Sequence, residues 1–200
     1  MIMFIDLSGI DGSGKSTVAM ELKKAFEQKG RECIVFHGYI PRKNINLLRD
    51  ICTKAGIQRE NSSFVNSLGM AAALMDVFVN SFIHIIPNSN KIFISEKYIK
   101  DSVVYMPLLG GNVELPLMYE KNMPRPDYRF ILDIDPYIAR KRVEKRGKYI
   151  QEKESYEIMK NAREVFLSFS NEDRTYIINA DRKVDTIVNE ILSIIFCNQS

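Results

Sequence analysis

The residues best placed to do chemistry sit near the start of the chain, where Gly9-Ile10-Asp11-Gly12-Ser13-Gly14-Lys15-Ser16 holds the spacing G-x-x-x-x-G-K-[ST]. Glycines at positions 9, 12 and 14 let the backbone curl until successive N–H groups face inward. A helix beginning at the far end adds positive potential where an anion would rest. In such a loop Lys15 reaches the outer phosphates of a polyphosphate chain, and the Ser16 hydroxyl can ligate Mg²⁺. A chance match in a glycine turn is the competing reading. The flanks argue against it, because a strand is expected before the loop and a helix after it.

A second concentration of charge lies at Arg140, Lys141, Arg142, Lys145, Arg146 and Lys148, six cations within nine residues. On a helix Arg142 and Arg146 stand four apart and share a face. Mobile cations that close over a transferring phosphoryl group neutralise its charge and exclude water. The bland alternative is a solvated basic helix that touches RNA. A phosphate loop alone fits GTPases, motors and binding modules as well as kinases. This chain has no N-K-x-D run for guanine, and its 200 residues leave no room for a motor's second core. The basic cluster therefore tips the reading toward a small kinase that uses ATP with Mg²⁺.

The elements that must hold these residues alternate along the chain. Strands are expected at Ile2–Leu7, Cys33–His37, Lys91–Ser95, Tyr128–Ile134 and Thr175–Asn179. Helical spacing at Val18, Ala19, Leu22, Ala25 and Phe26 predicts a helix over Ser16–Lys29, stopped by Gly30. Further helices are expected at Asn46–Lys54, Ser63–Ile86, Lys100–Leu108, Leu115–Asn122, Pro136 to about Arg146, Glu154–Ser170 and Lys183–Phe196. Ser63–Ile86 is apolar on several faces and reads as a buried helix. Met70 and Met75 within it read as core. Asp133 and Asp135 should finish a strand and cap the next helix. This pattern predicts an α/β fold of the P-loop kinase type: one five-stranded, mainly parallel sheet, helices on both faces, and a small basic lid over about 142–153. One domain should span residues 1–200, with no repeats and no linker.

Composition sets the outer bounds. The hydrophobic share is 46% and the charged share 26%, ordinary for a globular domain. A net charge of +3 is too small to call for a nucleic acid, and no apolar run reaches membrane-spanning length. Cys33, Cys52 and Cys197 lie far apart, without metal spacing, and read as reduced thiols of a cytoplasmic protein.

Phe4-Ile5 followed by Gly9 through Thr17, Arg125-Pro126-Asp127 leading into Phe130-Ile131-Leu132-Asp133, and Arg142 with Arg146-Gly147 together carry a resemblance. From Phe4 to about Ile191 the chain resembles the thymidylate kinase family of nucleoside monophosphate kinases. The resemblance implies ATP and Mg²⁺, with Gly9, Asp11, Gly12, Ser13, Gly14, Lys15, Ser16, Thr17 and Arg142 on the ATP side. It implies an acceptor site at Asp11, His37, Tyr39, Arg49, Lys97, Tyr98 and Tyr105, with Lys15, Arg142, Arg146, Glu96 and Lys97 in the transfer step. Ser16 and Glu96 would face the metal. A homodimer is implied too, with the apolar helix Ser63–Ile86 as its face.

The chain also departs from the family pattern. The family's R-E-P-G is His37-Gly38-Tyr39-Ile40, its D-R-Y is Glu96-Lys97-Tyr98, and its A-Y-Q is Val104-Tyr105-Met106. The helix arginine that faces the base falls near Met75, in a run without a cation. The ATP side thus matches while the base side is rebuilt. Three functions stay open: a thymidylate-type kinase, a kinase for a nucleoside or another small hydroxyl compound, and a nucleotide-binding protein without transfer.

Overall fold

A computed structural model describes residues 3–38, 43–57, 63–85, 91–147 and 154–197. Five strands form one sheet, β1 (Met3–Ser8), β2 (Cys33–His37), β3 (Ile92–Glu96), β4 (Tyr128–Asp133) and β5 (Thr175–Asn179), in the order β2-β3-β1-β4-β5. Every neighbouring pair is parallel, so the expected "mainly parallel" sheet is wholly parallel among the described residues. The helices are α1 (Lys15–Gln28), α2 (Lys43–Lys54), α3 (Ser63–Ile85), α4 (Ile99–Leu108), α5 (Glu114–Asn122), α6 (Pro136–Glu144), α7 (Tyr156–Ser168) and α8 (Val184–Cys197).

The two-residue period of β1 sorts its side chains onto opposite faces. Met3, Ile5 and Leu7 join a core with Val18, Ala19, Leu22 and Phe26 of α1 and Ile187, Ile191 and Ile195 of α8. Phe4 joins a second core with Phe36, Phe93, Tyr98 and, from α3, Leu74 and Val77. Both faces of the central strand are therefore covered, and all six of its residues are buried. The Phe4 face continues along the strand as Asp6 and Ser8, two buried polar side chains whose partners must come from within the protein.

Asp135 caps α6 as its position predicts, its side chain accepting from the amides of Tyr137 and Ile138. Asp133 closes β4 and takes a two-pronged ion pair from Arg163 of α7, at 2.6 and 3.0 Å. Two expectations need correction. α6 stops at Glu144, so Arg146 lies in the turn beyond it and does not share a helical face with Arg142. α3 is not buried all round: Leu68, Met75, Val79 and Ile83 form an exposed stripe, and Met75 is 41% exposed, while Met70 packs against the second core. Among the described residues no helix is long and apolar enough to cross a membrane, and the three cysteines are free thiols.

Candidate active site

The chain leaves β1 toward the β2 edge of the sheet but leaves its two neighbours, β3 and β4, toward the β5 edge, so the connections diverge beside β1. In open parallel sheets ligands settle at the carboxyl ends of the strands at such a switch point. The carboxyl end of β1 carries the glycine loop. Gly9, Gly12 and Gly14 all hold positive φ, at 135°, 90° and 94°. At Gly12 a Cβ would stand 2.3 Å from the Ala139 carbonyl oxygen, and at Gly9 one would stand 2.7 Å from that of Leu132. The loop can thus lie against α6 and β4 only with glycine at these two positions.

Lys15 is the first residue of α1, yet its side chain is buried and curls back over the loop. Its Nζ donates to the Gly9 carbonyl at 2.6 Å and the Ile10 carbonyl at 2.9 Å. A cation is therefore already stationed inside the ring of backbone. Gly14 caps α1, and among the described residues no atom lies within 4 Å of a Cβ position there.

Glu96 is the last residue of β3, in register with Leu7 of β1 on one side and His37 of β2 on the other. Its carboxylate accepts a short hydrogen bond from the Ser16 hydroxyl. A hydroxyl and a carboxylate side by side are an oxygen donor set suited to a small hard cation, and so the residues fit Mg²⁺. Lys97 follows in the left-handed region, at φ 59°, with its amide bonded to the Leu7 carbonyl at 3.4 Å. That twist delivers its ammonium to Asp11 of the loop, 2.5 Å away. Gly38 lets the turn pack, because a Cβ there would meet the Lys97 carbonyl oxygen at 2.4 Å.

Beneath the loop lies a buried polar chain that reading the sequence did not single out. Ser8 Oγ stands 3.2 Å from Asp6 and 3.0 Å from Asp101 of α4. Asp6 also accepts from Ser95 at 3.0 Å and from Arg129 at 3.0 Å. Burial lifts Asp101 from 3.8 to about 7, against the pull of Lys15. One turn further along α4, burial and the nearby Asp11 raise the Tyr105 hydroxyl well above its ordinary range. A charged Asp6 inside the apolar run MFIDLS was the available signal, since a carboxylate in a buried strand needs partners.

The expected site residues do not all converge. The structure brings together Gly9, Asp11, Gly12, Ser13, Gly14, Lys15, Ser16, Glu96 and Lys97, with His37 beside Glu96 and Thr17 exposed one residue on. Tyr98 turns the other way. Its ring is buried edge-on to Phe4, and its hydroxyl donates to the Pro124 carbonyl at 2.9 Å. Arg49 is exposed on α2, with Asn46 of the same helix at 3.5 Å. Arg142 reaches the loop after β5, bonding Asp181 at 3.0 Å and the Ala180 carbonyl at 3.3 Å, and Arg146 is exposed. Tyr39 and the lid stretch 148–153 lie outside the described residues.

Residues 7–191 match the family model described as thymidylate kinase. Curated relatives called probable thymidylate kinase include one from Pyrobaculum calidifontis, 30% identical over 96% of this chain and 95% of its own length. Another, from Methanosarcina barkeri, is 33% identical over 94% of this chain and 93% of its own.

Proposed function

The chain belongs to the thymidylate kinase family and is a nucleoside monophosphate kinase; from that premise we propose that it transfers the γ-phosphoryl group of ATP to dTMP. The observation that carries this is the meeting of the glycine loop and the Glu96-Lys97 turn. The loop supplies inward amides and the stationed Lys15 for a phosphate chain. The turn supplies a carboxylate against Ser16 and an ammonium against Asp11. Lys15 holds the β- and γ-phosphates, while Lys97 with Arg49 holds the acceptor phosphate. Asp11 and Tyr105 orient the acceptor sugar, and His37 with Tyr39 lies beside its base. Mg²⁺ held by Ser16 and Glu96 would neutralise charge on the phosphates. Positioning and charge neutralisation then carry the rate, with no covalent intermediate on the protein.

One domain performs this, with the basic segment 142–153 as its lid and Arg142 and Arg146 as the closing cations. Arg142 is the residue proposed to lie against the ATP adenine, leaving Asp181 to do so. The exposed stripe Leu68, Met75, Val79 and Ile83 on α3 supports a homodimer, and free thiols support a cytoplasmic setting.

Coupled ADP release measured over a panel of nucleoside monophosphates and nucleosides tests the proposal. dTMP should give the highest kcat/KM. A nucleoside turned over faster than every monophosphate, or MgATP bound without any acceptor-dependent turnover, would reject it. Arg49→Ala separates the acceptors further, because it should raise KM only for those that carry a phosphate.

A further inference from the structure

The Ser8 hydroxyl has one hydrogen and two carboxylate neighbours, Asp6 Oδ2 at 3.2 Å and Asp101 Oδ2 at 3.0 Å. All three side chains are buried, so no solvent hydrogen fills the gap. If Ser8 donates to Asp6, its oxygen faces the Asp101 oxygen with no proton between them. Two protons, not one, satisfy the chain: Asp101 donates to Ser8, and Ser8 donates to Asp6. The second proton belongs on Asp101, because Asp6 already has Arg129 and Ser95 donating to it. Asp101 Oδ1, for its part, has no hydrogen-bond partner among the described residues, a position that a neutral acid tolerates far better than a carboxylate.

We infer that Asp101 is a positioning residue for the phosphate loop and carries a proton when the loop is loaded, so that binding a nucleotide's phosphates draws a proton from solvent onto Asp101. Ser8 directly precedes Gly9, and the chain therefore ends at the loop's first residue. The charges facing Asp101 come from every side. Lys15 of the loop and Lys97 of the turn favour its ionised form, and Asp6 of β1, with Arg129 of β4 behind it, opposes that form. On its own helix Tyr105 stands one turn on, with Asp11 and Glu154 acting on it. A phosphate chain held by Lys15 sets negative charge, which a bound Mg²⁺ would reduce without cancelling, against the cation that most favours ionised Asp101. The balance then shifts toward the acid, and a proton passes from buffer to Asp101 Oδ2. No heavy-atom bond changes.

The inference rests on reading the loop as the nucleotide site. MgADP binding by calorimetry, in buffers of low and high ionisation enthalpy, tests it. At pH 7 wild type should take up about half a proton more per site than Asp101→Asn, whose amide mimics the neutral acid. The difference should vanish near pH 5, where Asp101 is protonated in both states. Equal proton uptake at pH 7 with binding intact would overturn the inference alone, whereas no MgADP binding by wild type would overturn the site reading as well. Should Asp101→Asn not fold, carboxyl ¹³C titration of wild type decides. The Asp101 midpoint must move up when MgADP is added, and an unmoved or lowered midpoint is the refuting result.

Discussion

Gly12→Ala and Gly14→Ala pose a paired test of how the loop is held. Both glycines have φ near +90°, so alanine at either site meets backbone strain of roughly 1–3 kcal/mol. Their surroundings differ. At Gly14 a methyl finds no atom of the described residues within 4 Å, and the strain is the whole cost they impose. At Gly12 the methyl would stand 2.3 Å from the Ala139 carbonyl oxygen and 2.8 Å from its carbonyl carbon. Those are backbone atoms of α6 and cannot rotate aside. Overpacking of this kind adds about 1–3 kcal/mol, so Gly12→Ala should lose roughly 2–6 kcal/mol in all. For a domain of this size, at about 3 °C per kcal/mol, that is a Tm lower by roughly 6–18 °C, against roughly 3–9 °C for Gly14→Ala. Thermal unfolding without nucleotide reads the difference directly. Gly14→Ala as destabilising as Gly12→Ala, or a Gly12→Ala protein within a degree of wild type, would refute the argument that α6 presses on the loop through position 12.

Three further outcomes are expected. Lys15→Ala should lower kcat by roughly a thousandfold while circular dichroism stays native; activity within tenfold of wild type would contradict the role given to its ammonium. Tyr98→Phe deletes the hydroxyl that bonds the Pro124 carbonyl and Ser81, so unfolding should lose roughly 1–2 kcal/mol with acceptor KM unchanged, and a raised KM at unaltered Tm would return Tyr98 to the acceptor site. Asp101 sets a slope in stability against pH. Its folded-state value, about 7, lies above the ordinary 3.8, so the folded protein holds a proton that the unfolded chain releases. Stability should be greatest below about pH 4 on this account and fall as pH rises toward 7. Asp101→Asn should flatten that slope in urea titrations, and an unchanged slope would place the titrating group elsewhere.

The sequence by itself determined what is written in consecutive residues. The glycine loop is legible because its shape depends on φ values that only neighbouring glycines supply, and on a strand and a helix at its two ends. The strands and helices are legible because burial on a sheet or helix imprints periods of two and 3.6. The capping role of Asp135 was local in the same way. Only the tertiary structure decided which buried charges meet. Asp6 finds Arg129 across 123 positions, and Ser8 finds Asp101 across 93. The tertiary structure likewise turned Tyr98 into the core, and it left one side of α3 open although its sequence is apolar on several faces. The physical reason is that a backbone turn is chosen by the residues that make it. A desolvated carboxylate is satisfied by whatever distant side chain the packed sheet brings within 3 Å, and nothing in the local run of residues carries that address.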